Sequence, residues 1–372
     1  MPIARMLAAL LALTAPASTA LHAQAKPALH WVDVADWRLE GRAFDERAAT
    51  FDRLPAAAEA EVREAVWDLS RHSAGVTVRF TTDARELHVR YRLTSPTLSM
   101  FHMPATGVSG VDLYARDDRG RLRWVSVSRP SGQDVSQRLC AGLAPPPRGG
   151  REFALYLPLY NGVERLELGV PEGATLAPLP ARETKPIVVY GTSIAHGACA
   201  SRPGMAWPAI LSRMLGREVI NLGFSGNGRM EEAVARHVAT LDAAAFVIDC
   251  LPNMNSQQVR ERAAPLVRQL RRARPNAHIL LVEDRTFTNA WILPARRAAH
   301  ADRRAALRSA FEELRGEDER LHYLEGDALL GVDGEGATDG SHPNDLGMQR
   351  QARAVAAALQ KALGKALQKA LR

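Results

Sequence analysis

The chain is poor in cysteine and in aromatic residues. Beyond its first two dozen positions it has no long apolar run. Its three cysteines, Cys140, Cys199 and Cys250, form no Cys/His cluster with structural-zinc spacing. The acidic, glycine-rich stretch from Asp333 to Asp339 does not match a calcium-binding loop, so no metal and no cofactor are expected. Aromatic residues make up only 6% of the chain. The formal net charge is +7, but the basic residues are spread rather than blocked, which argues against nucleic acid as a partner. No later stretch approaches the roughly 18 apolar residues of a transmembrane helix, which argues against stable membrane insertion. No repeat of domain size is visible. What remains, 372 residues with 46% hydrophobic and 24% charged, is a globular composition with length for two domains.

The N-terminus has the layout of an export signal. Arg5 gives the positive region, Met6 to Ala15 the short apolar region, and Ser18-Thr19-Ala20 or Ala23-Gln24-Ala25 the small-residue cleavage site. Residues 1–25 are therefore read as a signal peptide, and the mature protein as secreted or periplasmic. Residues 26–178 read as β. Gly75–Phe80 and Glu86–Leu93 alternate apolar and polar residues. Val111–Arg116, Leu122–Val127, Arg151–Leu157 and Val163–Val170 continue the pattern with turn residues between them. This predicts a β-sandwich or jelly roll. Four prolines between 171 and 186 mark the join. From 179 to 372, strands alternate with amphipathic helices, which predicts an α/β domain on a parallel sheet.

Four runs in the second part carry chemistry. Val188-Val189-Tyr190-Gly191-Thr192-Ser193 places a serine just past an apolar strand. Val219 to Gly228 is a strand ending in a glycine-rich turn, and Phe246 to Asn253 a strand ending in Pro-Asn. Asp339-Gly340-Ser341-His342 supplies a carboxylate and an imidazole three residues apart. A serine hydroxyl needs a base to become a nucleophile, and a histidine base needs a carboxylate to orient it. Glycine-turn N–H groups and an asparagine amide are suited to hold the oxyanion of acyl transfer. Each residue also has a plain structural reading: Ser193 or Asn253 as a helix cap, Gly226 as a turn residue, His342 as the end of a loop. His196 is a rival base, three residues past Ser193.

These four runs, in this order, resemble the sequence blocks of the SGNH (GDSL-type) hydrolases. The resemblance covers roughly residues 185–363. It implies a three-layer, flavodoxin-like fold with Ser193 as nucleophile and Asp339 and His342 as its triad partners. It places the Ser193 N–H, the Gly226 N–H and the Asn253 side chain in the oxyanion hole. Two departures stand out. The chain reads Gly-Thr-Ser-Ile where the family has Gly-Asp-Ser-Leu, and Leu-Pro-Asn-Met where it has Gly-x-Asn-Asp. Gly110-Val111-Asp112-Leu113-Tyr114 also resembles the Gly-x-Asp-Leu-Tyr motif of a β domain found ahead of some of these hydrolases.

The resemblance implies a serine esterase acting on a small-molecule or polysaccharide ester, with O-acetyl groups on carbohydrate as the leading substrate. A lipid-directed acylhydrolase or thioesterase is the enzymatic alternative. A non-catalytic carbohydrate-binding protein is the alternative of another class. Nothing in the sequence sets an oligomeric state. The odd cysteine count in an exported chain fits either one pair with a leftover or three buried thiols. Cys199 lies six residues after Ser193 and Cys250 three before Asn253, so the expected pair is Cys199–Cys250.

Overall fold

The computed structural model describes residues 28–364; the signal-peptide reading lies outside them. Alternating strands in the first part build two antiparallel sheets. Its strands are β1 (Leu29–Asp33), β2 (Thr77–Thr82), β3 (Glu86–Leu93), β4 (Asp112–Arg116), β5 (Leu122–Val127), β6 (Asp134–Ala141), β7 (Arg151–Tyr156), β8 (Val163–Pro171) and β9 (Leu176–Pro178). Two short helices, α1 (Glu64–Ser70) and α2 (Ala105–Val108), interrupt them. One sheet has the order β1-β8-β3-β6, the other β5-β4-β7-β2-β9. The inward residues of both, among them Val89, Tyr91 and Leu168 on one side and Val78, Leu113 and Phe153 on the other, share one apolar core. This is the expected sandwich.

The second part is a five-stranded parallel sheet. Its strands are β10 (Ile187–Gly191), β11 (Val219–Gly223), β12 (Ala245–Asp249), β13 (His278–Val282) and β14 (Leu321–Leu324), in the order β11-β10-β12-β13-β14. The helices are α3 (Ser193–His196), α4 (Trp207–Leu215), α5 (Glu232–Thr240), α6 (Ser256–Ala273), α7 (Pro294–Arg315) and α8 (Asp345–Leu363). Strands β10 to β13 are mainly apolar because both faces are covered. Val188, Ile220, Phe246 and Ile279 face one core with α5, α6 and α7. Ile187, Val189, Val247 and Leu280 face the other with α4 and α8. That makes three layers, with strand order 2-1-3-4-5. In such sheets ligands bind at the carboxyl ends of the strands, where the order reverses. Here that point lies between β10 and β12.

The two parts are not separate in packing. Leu54, Ala58, Val66 and Trp67, which precede β2, belong to the core beneath α5 and α6. Arg53 is fully buried beside them and donates to the carbonyls of Leu69, His72, Asn221 and Gly223. The Gly-x-Asp-Leu-Tyr run forms a second tie. Asp112 accepts from Arg202 at 2.8 Å, from the Gly204 N–H at 2.8 Å and from the Trp124 indole at 3.0 Å. The Tyr114 hydroxyl accepts from Arg202 at 2.6 Å, and its ring lies 4.3 Å beneath the Arg213 guanidinium. So this motif is where the sandwich grips the loop before α4.

Candidate active site

Strand register brings the first three sequence runs to one level. Gly191 at the end of β10 pairs with Gly223 of β11 and with Asp249 of β12. Ser193, Gly226 and Asn253 follow within a few residues of those ends. The loops are held close. The Phe224 N–H donates to the Gly191 carbonyl at 3.0 Å, and a Cβ on Gly228 would stand 2.0 Å from that same oxygen, so only glycine fits there. Tyr160, from the sandwich side, donates to the Ser193 carbonyl at 3.4 Å and to the Ser225 hydroxyl at 3.2 Å.

Ser193 opens α3, and its capping role falls to its neighbour. Thr192 is the N-cap, and its hydroxyl accepts from the Ile194 N–H at 3.3 Å. The threonine that replaces the family's aspartate thus retains a cap acceptor and leaves the Ser193 hydroxyl free. That hydroxyl lies 2.8 Å from Nε2 of His342, a residue 149 positions away. His342 Nδ1 lies 2.7 Å from Asp339 Oδ2. An imidazole that donates from Nδ1 to a carboxylate presents Nε2 as an acceptor, so Ser193 donates to it.

The Asp339 loop is built for that orientation. Asp339 Oδ1 accepts from the backbone N–H groups of Ser341 (2.9 Å) and His342 (2.8 Å). Partial burial alone would raise the Asp339 pKa. The His342 and Ser341 N–H groups and the His342 ring outweigh it and hold the carboxyl down at about 2. Outside contacts fix the loop. The Thr288 N–H donates to the Gly340 carbonyl at 2.9 Å. Just past His342, Asp345 accepts from the Ser201 N–H at 2.9 Å and from its hydroxyl at 2.5 Å. The grip of Asp112 on Arg202 and Gly204 therefore reaches the histidine loop through one short segment.

Gly226 adopts a left-handed φ of +69° with open space around it, so the turn rather than crowding demands glycine. Its N–H has no hydrogen-bond partner among the described residues. Asn253 does not cap the next helix. Asn255 does, in a reciprocal capping box with Gln258. The Asn253 amide is left without a protein partner, and its oxygen is buried. An amide oxygen only accepts, so it is the NH2 group, which donates to no protein acceptor among the described residues, that is free to meet a ligand or water.

His196 is not positioned as a base. It is fully buried, its Nε2 donates to the Leu159 carbonyl at 2.6 Å, and its ring stacks on Tyr160 at 4.3 Å. Burial first, then the charge of Arg53, drives its pKa well below the ordinary value. The expected Cys199–Cys250 bond is not formed; both thiols, like that of Cys140, are free. The reason is strand geometry. The Cys250 side chain points into the core on the α5 and α6 face, where it donates to the Tyr190 carbonyl at 3.5 Å. Cys199 sits in a left-handed turn with φ 67° on the other side of the strand ends, beside Thr338. Sequence reasoning also missed Arg53, Tyr160 and the His102 ring, whose centroid lies 6.3 Å from that of His342. None of them stands in a motif.

Among the described residues no group of three or more His, Cys, Asp or Glu side chains converges as a metal site would. Among them, too, no helix is long and apolar enough to cross a membrane.

Residues 184–360 match the model of the GDSL-like lipase/acylhydrolase family, and residues 29–176 match that of the GxDLY N-terminus of SGNH-hydrolase-type esterases. No curated protein matches the chain. Among solved structures, the chain resembles a protein described as a GDSL-like lipase from Bacteroides ovatus, with 33% identity and a TM-score of 0.85 over 90% of this chain and 98% of that one. It also resembles the salicylyl-acyltransferase SsfX3 of a tetracycline biosynthetic pathway, with 21% identity and a TM-score of 0.72 over 90% and 97% of the two chains. A family two carbohydrate esterase from Cellvibrio japonicus shares the fold at 14% identity, with a TM-score of 0.58 over 93% and 100%. The chain belongs to the GDSL-like lipase/acylhydrolase family, in its SGNH-type esterase form with a GxDLY N-terminal region, and is an ester-bond hydrolase.

Proposed function

We propose that the protein is an exported serine esterase that removes O-acetyl groups from carbohydrate by an acyl-enzyme mechanism. The observation that carries the mechanism is the unbroken hydrogen-bond chain from the Ser193 hydroxyl through His342 to Asp339. Ser193 Oγ attacks the ester carbonyl carbon while His342 Nε2 takes its proton. The carbonyl oxygen becomes an oxyanion, met by the N–H groups of Ser193 and Gly226 and by the Asn253 amide. As the tetrahedral intermediate collapses, the bond to the alcohol oxygen breaks and His342 returns the proton to that oxygen. Water repeats the sequence and releases acetate. Asp339 stays ionised, fixes the His342 tautomer and stabilises the imidazolium.

The substrate reading rests on the neighbours described as carbohydrate esterases, such as the Cellvibrio japonicus protein, whose fold spans both parts of this chain. Export rests on the N-terminal leader. A purely sugar-binding role would leave the complete triad without a purpose. The test is hydrolysis of acetylated xylan and acetylated monosaccharides by the mature protein and by Ser193→Ala. The wild type should release acetate. The variant should fold normally and release none, since only one oxygen atom is lost. A Ser193→Ala protein with near-wild-type turnover would overturn the mechanism. A wild type that cleaves only long-chain acyl esters would overturn the carbohydrate reading.

A further inference from the structure

A tight turn of the sandwich part reaches the histidine of the triad. The Met100 N–H donates to the Met103 carbonyl at 3.0 Å, and the Met103 N–H donates back at 3.1 Å. Phe101 and His102 are thus the two-residue tip of a small hairpin. Met103 is buried in the core shared by α4 and α8, and Met100 packs against it, so both feet of the tip are anchored in the hydrolase part. The His102 ring lies 6.3 Å from that of His342, and the Phe101 ring lies 4.3 Å from that of His102. Burial, with the nearby His342, pushes the His102 imidazole below its ordinary pKa, so an uncharged ring backs Phe101. Phe101 itself is 100% exposed. It contributes nothing to the core, and the His102 ring stands between it and the catalytic base.

The direction of the chemistry says which part of the substrate would meet it. His342 hands its proton to the leaving alcohol, so the alcohol must lie on the His342 side of Ser193. The oxyanion donors, the N–H groups of Ser193 and Gly226 and the Asn253 amide, hold the carbonyl oxygen instead. A ring that approaches His342 through His102 is therefore placed on the side where the alcohol leaves.

We propose that Phe101 is the platform for the alcohol part of the ester, its ring stacking on the apolar face of a cyclic alcohol such as a pyranose. The choice of a pyranose rests on the carbohydrate reading above; the platform itself does not. It makes the sandwich part a component of the substrate site.

The experiment compares wild type, Phe101→Ala and Phe101→Trp on three acetate esters: an acetylated methyl glucoside, cyclohexyl acetate and ethyl acetate. Because Phe101 is wholly exposed, neither substitution threatens folding. The ratio of kcat/KM for ring-bearing alcohols to that for ethyl acetate should fall roughly tenfold in Phe101→Ala, the scale of one aromatic contact. Phe101→Trp should retain the ratio. If Phe101→Ala leaves both ratios unmoved, the platform is wrong, and good turnover of the glucoside would leave the carbohydrate reading standing. If the wild type ignores the glucoside but the cyclohexyl ratio falls in Phe101→Ala, the carbohydrate reading fails and the platform stands.

Discussion

Asp112→Asn should weaken the protein far from its catalytic atoms. The Asp112 side chain is fully buried and accepts three hydrogen bonds, from Arg202, Gly204 and Trp124. All three partners are donors. An asparagine of the same shape offers one oxygen and one NH2 group. Its better orientation keeps the oxygen towards Arg202 and Gly204 and turns NH2 towards the Trp124 N–H, donor against donor. The charge that balances Arg202 is lost in either orientation. Arg202 is 20% exposed and retains the Tyr114 hydroxyl, which limits the damage. Breaking a buried pair from one side costs about 3–5 kcal/mol, and the lower end applies to this pair. The consequence should reach the site, because the Arg202 segment holds Asp345 through Ser201. Denaturant unfolding of wild type, Asp112→Asn, Arg202→Met and the double variant gives a thermodynamic cycle. Its coupling energy should exceed about 1 kcal/mol, within the range for contacting residues. Esterase activity should fall in Asp112→Asn by less than about tenfold, or about 1.4 kcal/mol in the barrier. A coupling near zero would show that the Asp112–Arg202 pair does not tie the sandwich to the loop before α4.

Asn253→Ala should lower kcat by roughly 10²- to 10³-fold, the usual effect of removing one oxyanion donor, with little change in folding. A change confined to KM would make Asn253 a substrate-binding residue. Asp339→Asn should show a pH-dependent stability deficit. The Asp339 pKa is held at about 2, below its ordinary 3.8, so its contribution is fully present above pH 3.8 and disappears as the pH falls towards 2. Melting curves of variant and wild type should converge over that window; a gap that persists to pH 2 would refute the hydrogen-bond account of the loop.

The parts of the fold legible in the sequence are those whose residues face one environment on each side. Glu86–Leu93 alternates because β3 lies between β8 and β6 with one face on the sandwich core. The parallel strands β10 to β13 read as mainly apolar runs because helices cover both faces. The strands without a legible pattern, β1, β6, β9 and β14, are all edge strands. These four bury few residues, none in β1 or β9 and one in β14. In β6 only Val135 and Leu139 are buried, too few to set a period over eight residues. The helical turn at α1 is hidden for a different reason. It packs Val66 and Trp67 under the parallel sheet, although its sequence lies within the stretch that reads as β.

The site divides the same way. Ser193, Gly226, Asn253, Asp339 and His342 are visible because each sits just past a strand end or in a short loop that repeats a known spacing. Local sequence carries the backbone shape such chemistry needs. Contacts between the two parts are another matter. Arg53 meets carbonyls about 170 residues away in sequence, and His102 meets His342 across the sandwich-hydrolase join. Neither has a local pattern, since an arginine held by four carbonyls reads in sequence like any surface arginine. The cysteine pairing failed on orientation. Proximity in sequence to two neighbouring strand ends said nothing about which side of the sheet each thiol takes, and Cys250 turned into the core while Cys199 stayed beside the histidine loop. In this fold, then, catalytic identity is written in short motifs, whereas the surroundings that would choose the alcohol come from residues that only the folded chain brings together.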